Sequence, residues 1–288
     1  MNAGQQRRVD ADGSSGTRGT GRGTLIMLAL LAIGSAAQSQ GLYEPLKVTL
    51  SVKTWTNTWD SWVTSPKGTG VALGTQRYQI VQAVNGGTST SVIPVLSLRH
   101  GKFRETVSVM TKTNYTLQDA GTPGGFLVRA SRREIDFNSG YAATPNLTLT
   151  AGYKRLTQTY GPDTFEWHGP LLGINANAEI GSSWYLYGTA GIGYMKAKLP
   201  QSQKDAEGHT RFNAGYRLGE FGLAFSPDFG SEVPGNLLLT IGYRMQTVTT
   251  RDYSLGSTDP QGNPPSPNVT TKLVDTTQGP VLSLLLTF

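Results

Sequence analysis

Apolar and polar residues alternate one by one through most of the chain after residue 45. In the first such segment, 46–60, Val48, Leu50 and Val52 lie on one face, and lysine, threonine and serine alternate between them. Successive side chains of a β-strand point to opposite faces. The pattern therefore predicts a strand with one apolar face and one polar face.

The alternation recurs in ten segments that are separated by turn-forming residues. We predict an all-β fold, an antiparallel up-and-down barrel of about ten strands; eight or twelve strands also fit, because each strand signal is weak. Residues 76–84 predict a strand extension or a hairpin arm, and 161–168 predict a loop. The predicted strands span 46–60, 89–99, 103–116, 127–140, 147–159, 170–180, 184–198, 209–225, 236–250 and 272–288.

The connections between predicted strands alternate between long and short. The longest, 61–88 and 254–270, follow the first and ninth strands. Transmembrane barrels have long loops at one end and short turns at the other. No segment reaches the roughly 18–20 consecutive apolar residues of a spanning helix, so a membrane-spanning chain of this kind must be a closed barrel. The rival fold is a soluble β-sandwich, in which the same leucine and valine faces would form a core.

The first 37 residues have the pattern of a secretory signal peptide. A polar leader with four arginines precedes a short apolar run, 25–33, and small residues Ser35 and Ala37 follow it. This order is typical of a signal with cleavage after Ala37. We therefore predict a signal peptide at 1–37, a short periplasmic segment at 38–45 and a barrel at 46–288.

The last ten residues, 279–288, form an apolar strand that ends in Phe288. In this feature the chain resembles the bacterial outer-membrane β-barrel proteins, whose last strand commonly ends in phenylalanine and acts as an assembly signal. The resemblance implies a place in the cell outer membrane, contact with membrane lipid and lipopolysaccharide, and recognition of the C-terminal strand by the barrel-assembly machinery. It indicates an architecture and leaves the subfamily open.

Composition adds few constraints. Cysteine is absent and the formal charge is +6. No lysine or arginine run indicates nucleic acid, whereas a mildly basic surface can contact lipopolysaccharide phosphates. We predict no cofactor and no metal site, and the oligomeric state stays open.

Charged residues on the predicted polar faces would point into the lumen. Two interpretations follow: a salt-bridged plug, because buried charges need partners, or a narrow ion path with a basic constriction. The predicted lumen residues are Arg104, Lys112, Arg132, Glu134, Asp136, Lys154, Glu179, Arg217 and Arg244.

Aromatic residues near the strand ends predict membrane-interface anchors, which transmembrane barrels carry in two girdles. The predicted anchors are Trp55, Trp59, Tyr153, Trp184, Tyr194 and Tyr243.

Two histidines, His168 and His209, are predicted near the rim of the barrel. Asp163, Glu166, Asp205 and Glu207 lie close to them in sequence. A histidine beside a carboxylate can act as a general base, and the alternative is that all of them are solvated loop residues. The sequence thus predicts a non-enzymatic barrel with a structural or surface-interaction role or a narrow passage for small solutes. The alternatives are a rim-active hydrolase of the protease or lipid A-modifying type, and an adhesin or receptor that acts through its loops.

Overall fold

The computed structural model describes residues 45–66, 78–119, 127–204, 208–227, 236–254 and 270–288. The predicted signal peptide, nearly all of the segment 38–45, most of the loop 254–270, Asp205 and Glu207 lie outside the described residues.

Eleven β-strands, nearly all close to the predicted segments, make up the fold. The first predicted strand extends to Pro66, and the predicted hairpin arm is a strand of its own, β2. The strands are β1 Lys47–Pro66, β2 Tyr78–Gly86, β3 Ser89–His100, β4 Phe103–Asp119, β5 Leu127–Thr144, β6 Leu147–Tyr160, β7 Asp163–Glu179, β8 Trp184–Lys198, β9 Arg211–Phe225, β10 Asn236–Ser254 and β11 Thr270–Thr287.

The strands form one closed antiparallel barrel. From β4 to β11 each strand pairs with the next strand in sequence, and β11 pairs with β1 from Thr287 opposite Thr49 to Lys272 opposite Thr64. β2 and β3 both pair with β1 and with β4, so together they occupy one place in the wall. The barrel therefore has ten strands, as predicted, and closure leaves no free sheet edge.

The two ends of the barrel differ. The end that holds Lys47 and Thr287, here called the turn end, carries three short connections, 101–102, 145–146 and 180–183, and one of ten residues, 226–235. The opposite end, the loop end, carries the long connections 67–77 and 255–269. It also carries one two-residue turn at 161–162, where Gly161 has φ +53°, a value that favours glycine in tight hairpins. The predicted loop 161–168 is wrong, because β7 begins immediately after this turn and includes His168.

A β-bulge interrupts β4. Met110 lies opposite Glu134, but Thr113 lies opposite Arg132, so β4 holds one extra residue here. A bulge changes which residues face inward: Met110, Thr113 and Tyr115 are all buried. Lys112, predicted to line the lumen, is exposed on the outer wall. That prediction is wrong because strict alternation does not survive the bulge.

The outer wall near the turn end is apolar all around the barrel. Its exposed side chains include Leu50, Leu149, Leu172, Phe221 and Ile241, the last at 56%. In a soluble sandwich these faces would form the core, so the rival fold is excluded. We call this zone the apolar belt; its water-accessible apolar surface requires lipid around it.

Beyond the apolar belt, toward the loop end, the two faces exchange character. On β9, Phe221 and Leu223 are exposed while Glu220 is buried, but farther along the strand Arg217 is exposed and Tyr216 is 2% exposed. The strand register shows no slip between these residues. Arg217 was predicted to face the lumen, and that prediction is wrong because the apolar face turns inward here.

Trp55 and Trp59 require the same correction. They were predicted as interface anchors, yet both are 0% exposed and lie inside the barrel. Both have the parity of Ser51, which also faces inward. Large apolar side chains fill the lumen here, because a barrel of this width has an interior that side chains can occupy.

Among the described residues, no helix is long and apolar enough to cross a membrane.

Candidate functional site: the barrel lumen

The largest group of charges in the lumen surrounds Glu134. Arg132 donates from Nε to Glu134 Oε1 at 2.7 Å, and Lys154 Nζ lies 2.5 Å from Glu134 Oε2 and 2.9 Å from Asp136 Oδ1. The side chains of Arg132, Glu134 and Lys154 are at most 3% exposed. We call these four residues the Glu134 cluster. Its charges balance, which a buried ionic group requires.

Further hydrogen bonds fix the Glu134 cluster to distant strands. Arg132 Nη1 donates to Thr277 Oγ1 of β11 at 2.7 Å. The amide of Gln246 on β10 donates to Glu134, and Tyr216 of β9 donates to Gln246 Oε1 at 2.8 Å. The cluster therefore links β5 and β6 to strands on the opposite side of the lumen.

A second group, the Glu220 cluster, lies nearer the turn end. Glu220 accepts from Lys53 Nζ at 3.2 Å and from Arg244 Nη1 at 3.0 Å. Its carboxylate is nearly buried, at 4% exposure. The cluster joins β1, β9 and β10 across the interior.

Two tryptophans of β1 lie against these clusters. The guanidinium of Arg244 lies 5.1 Å from the ring centroid of Trp55, and that of Arg132 lies 6.0 Å from that of Trp59. Trp59 Nε1 donates to Asp275 Oδ1 at 2.9 Å. Cations within about 6 Å of an aromatic face are attracted to it, so the tryptophans both fill the lumen and hold its cations.

Toward the loop end the lumen is a hydrophobic core. Trp167 is 1% exposed, and its Nε1 donates to Thr250 Oγ1 at 3.1 Å. Strands β6 to β10 all contribute buried apolar side chains. The core comprises Leu156, Trp167, Met195, Ala197, Leu199, Phe212, Ala214, Tyr216 and Val248.

Toward the turn end the lumen is open space. A cavity of about 280 Å³ lies there, with Glu134, Asp136, Glu220 and Arg244 in its wall. The rest of the lining mixes apolar side chains, among them Ile93, Val95 and Leu218, with hydroxyl side chains, among them Thr49, Ser97, Thr106, Ser108, Thr148 and Thr150. The two charged clusters therefore border this cavity, and the hydrophobic core lies beyond them.

The structure brings together five of the nine predicted lumen residues, Arg132, Glu134, Asp136, Lys154 and Arg244. Arg104 also lines the cavity. Glu179 is exposed at the turn end of β7 and is not part of either cluster. Lys112 and Arg217 lie on the outer wall, as described above.

Three charged lumen residues were missed by the sequence prediction. Lys53 has the inward parity of β1 and was assigned to its polar face, but it was not named as a lumen residue. Glu220 was missed, although on β9 it has the same parity as the buried residues Tyr216 and Ala224. Asp275 of β11 is 3% exposed and faces the lumen. Its inward position could have been predicted, because it has the same parity along the strand as Val281 and Ser283, which are also buried.

The predicted rim site around His168 lies on the outer wall of the barrel. His168 lies on the outer wall, where its Nδ1 is 2.6 Å from the hydroxyl of Tyr153. Glu166 pairs with Arg155 at 3.2 Å on the same outer wall, and Asp163 accepts from Ser202. Among the described residues, no cluster of histidine and acidic side chains could hold a metal ion.

The other predicted interface anchors are exposed on the outer wall. Tyr153, Trp184, Tyr194 and Tyr243 are between 39% and 54% exposed. The backbone of Phe288 pairs with Val48, with N–O distances of 2.9 and 3.2 Å. The role of Phe288 as an assembly signal stays a prediction.

Comparison with known proteins adds the following. No family model matches the sequence, and no curated relative matches it. Solved structures that resemble the fold include the outer membrane protease OmpT from Escherichia coli, with 9% identity, a TM-score of 0.43, and coverage of 88% of this chain and 100% of that one. The outer membrane protein OprG from Pseudomonas aeruginosa has 12% identity, a TM-score of 0.35, and coverage of 83% and 95%. A FadL homologue from the same organism has 9% identity, a TM-score of 0.26, and coverage of 84% and 90%.

The class of protein follows from the barrel itself. Ten antiparallel strands close on themselves, the outer wall carries an apolar belt, and the lumen holds the buried charges. Transmembrane barrels combine these features. The chain is a closed ten-stranded antiparallel β-barrel of the transmembrane type.

Proposed function

We propose that this chain is a non-enzymatic barrel with a closed lumen, which serves the outer membrane as a structural or surface-interaction protein. The observation that carries the proposal is the filled interior. The Glu134 cluster, the Glu220 cluster and the lumen tryptophans occupy the space between the cavity and the hydrophobic core. A solute that entered the cavity would have to displace buried, paired charges to go farther, and breaking such pairs costs several kcal/mol.

The orientation follows from the connections. Outer-membrane barrels place short turns in the periplasm and long loops outside. We therefore assign the turn end to the periplasm and the loop end to the cell surface. The cavity then opens toward the periplasmic side, and the hydrophobic core supports the loops that face outward.

The arrangement of the histidines supports a non-enzymatic role. His168 bonds to Tyr153 on the outer wall, and Glu166 is engaged by Arg155. A general base needs a substrate proton within about 2.6–3.2 Å in a plausible pose, and here both side chains are already engaged by neighbours on the outer wall.

Conductance of the folded barrel in a planar bilayer tests the proposal. We expect no steady openings from the wild type. The W55A/W59A double variant removes both lumen tryptophans and should produce a measurable leak. The matched control is W62A/W184A, which removes two tryptophans of the outer wall and should stay silent.

Folding is checked first by the heat-dependent mobility of each variant on a gel. Steady wild-type openings would overturn the closed-lumen proposal whether or not the double variant folds. A folded double variant that stays silent would show that the tryptophans do not close the lumen. A hydrolytic activity that H168A/H209A abolishes would overturn the non-enzymatic role.

A further inference from the structure

Exposed cations cover one part of the outer wall toward the loop end. They lie on β5 to β9, in the segments 127–133, 155–159, 164–168, 194–198 and 211–217, and these segments contain one carboxylate, Glu166. We call this surface the basic wall. Its exposed cations are Arg129, Arg133, Arg155, Lys196, Lys198, Arg211 and Arg217.

Strand register arranges the basic wall in two rows. Outward side chains of paired residues have Cβ atoms about 4.5–5.5 Å apart, so two neighbouring cations can contact one phosphate group. Lys198 and Arg211 are such a pair, and like charges directly opposite each other destabilise a sheet unless an anion compensates them. The first row is Arg155, His168, Lys196 and Asn213, and the second is Thr157, Glu166, Lys198 and Arg211.

Neighbouring side chains hold Lys196 in place. Its Nζ donates to Asn213 Oδ1 at 2.7 Å and lies 5.3 Å from the ring centroid of Tyr194. Beside it, the Tyr153 hydroxyl is hydrogen-bonded to His168. The ammonium group is therefore positioned over the ring of Tyr194, and ordering it on ligand binding costs less than for a free lysine.

The basic wall begins where the apolar belt ends. Ile192, 64% exposed, is paired with Arg217, and Tyr194 and Tyr153 stand between the belt and the first row. Tyrosines favour the level of lipid headgroups. The cations therefore lie at the height where phosphate groups of the surrounding lipid are found.

The opposite side of the barrel lacks this charge pattern. Its outward positions beyond the apolar belt on β1 and β10 are largely threonines that are exposed or half-buried. They include Thr54, Thr56, Thr58, Thr247 and Thr249. Elsewhere on the outer wall the exposed cations include Lys112 on β4 and Arg251 on β10, so the cations are concentrated on β5 to β9, as expected for a binding surface.

We propose that the basic wall binds the phosphate groups of a glycolipid of the lipid A type in the outward leaflet. The acyl chains lie along the apolar belt, Tyr153 and Tyr194 mark the headgroup level, and Lys196, Lys198 and Arg211 contact phosphate. The charge fits, since the surface is strongly cationic and the ligand is a dianion or more. The inference rests on the proposed orientation, with the loop end at the cell surface, and does not depend on whether the lumen is closed.

Native mass spectrometry of the folded full chain, titrated with diphosphoryl lipid A, tests the proposal. Each cation near an anionic lipid surface strengthens binding by about 1 kcal/mol, or roughly fivefold. We expect K196Q/K198Q/R211Q to bind about a hundredfold more weakly than the wild type. Monophosphoryl lipid A should bind the wild type more weakly than the diphosphoryl form.

The matched control is K47Q/R99Q/K102Q, which removes three cations at the turn end and should keep wild-type binding. Equal losses in the two triple variants would overturn the proposal, because they would show a response to net charge alone. Unchanged binding by K196Q/K198Q/R211Q, or equal binding of the two lipid A forms by the wild type, would also overturn it.

Discussion

The apolar belt and the part of the barrel beyond it bury opposite faces of the same strands. Within the belt, Phe221 of β9 points outward and Glu220 points into the lumen; farther along, Arg217 points outward and Tyr216 points inward. Lipid surrounds the first region, so apolar side chains must lie outside and charges must find partners inside. Water surrounds the second, so its apolar side chains gather inside as in a soluble protein.

The comparison shows why the lumen changes character along its length. In the belt the inward positions are mixed: charged side chains form the Glu134 and Glu220 clusters around a cavity, and Trp55, Ile93 and Met110 pack beside them. Beyond the belt the inward positions are free to be apolar, and they form the hydrophobic core around Trp167. The proposed closure of the lumen therefore involves both regions, the charged clusters and tryptophans in the belt and the hydrophobic core beyond it.

The largest expected effect concerns the core beyond the belt. Trp167 is 1% exposed, and replacement of a buried tryptophan by alanine costs about 3–5 kcal/mol. We expect W167A to lower the free energy of unfolding by about 4 kcal/mol, measured by urea unfolding in lipid vesicles. W184A, on the outer wall, should lower it by about 1 kcal/mol or less. Equal losses would mean that the region beyond the belt has no core of its own.

The sequence was sufficient to predict the fold and the belt. On β6, Leu149 and Tyr153 face outward and Lys154 faces the lumen, as predicted. Lipid requires apolar side chains on the outer face of every strand that it surrounds. The Glu134 cluster could also have been predicted from the sequence, because its members are the charged residues on the polar faces of β5 and β6.

Errors arose where the lipid constraint ends. Trp55 and Trp59 were assigned to the lipid side by residue type, although their parity with Ser51 placed them inside. Arg217 was assigned to the lumen because it is charged. The rule that charged side chains point inward holds in the belt and fails beyond it. Lys112 was misplaced by the bulge after Met110, and a single extra residue in a strand leaves no periodic signal from which it could be found.

The exchange of faces predicts a position-dependent cost for an outward charge on one strand. Ile241 and Thr249 both face outward on β10, the first in the belt and the second beyond it. An arginine on the lipid face costs about 2–4 kcal/mol near the bilayer centre and little near its edges. We expect I241R to lose about 2 kcal/mol of unfolding free energy and T249R to change it by less than about 0.5 kcal/mol. The two variants are each other's control, and similar losses in both would place Thr249 in lipid.

The smallest expected effect distinguishes the two faces at neighbouring residues of β6. Lys154 points into the lumen, 0% exposed, and pairs with Glu134 and Asp136, whereas the Arg155 side chain is 57% exposed and pairs with Glu166. Exposed ion pairs contribute about 0–1 kcal/mol, because water and salt screen them. A double-mutant cycle of R155A and E166A should therefore give a coupling energy below about 1 kcal/mol that falls further in high salt. A coupling of several kcal/mol, insensitive to salt, would mean that the outer wall beyond the belt is shielded from water, and the contrast between the two regions would no longer hold.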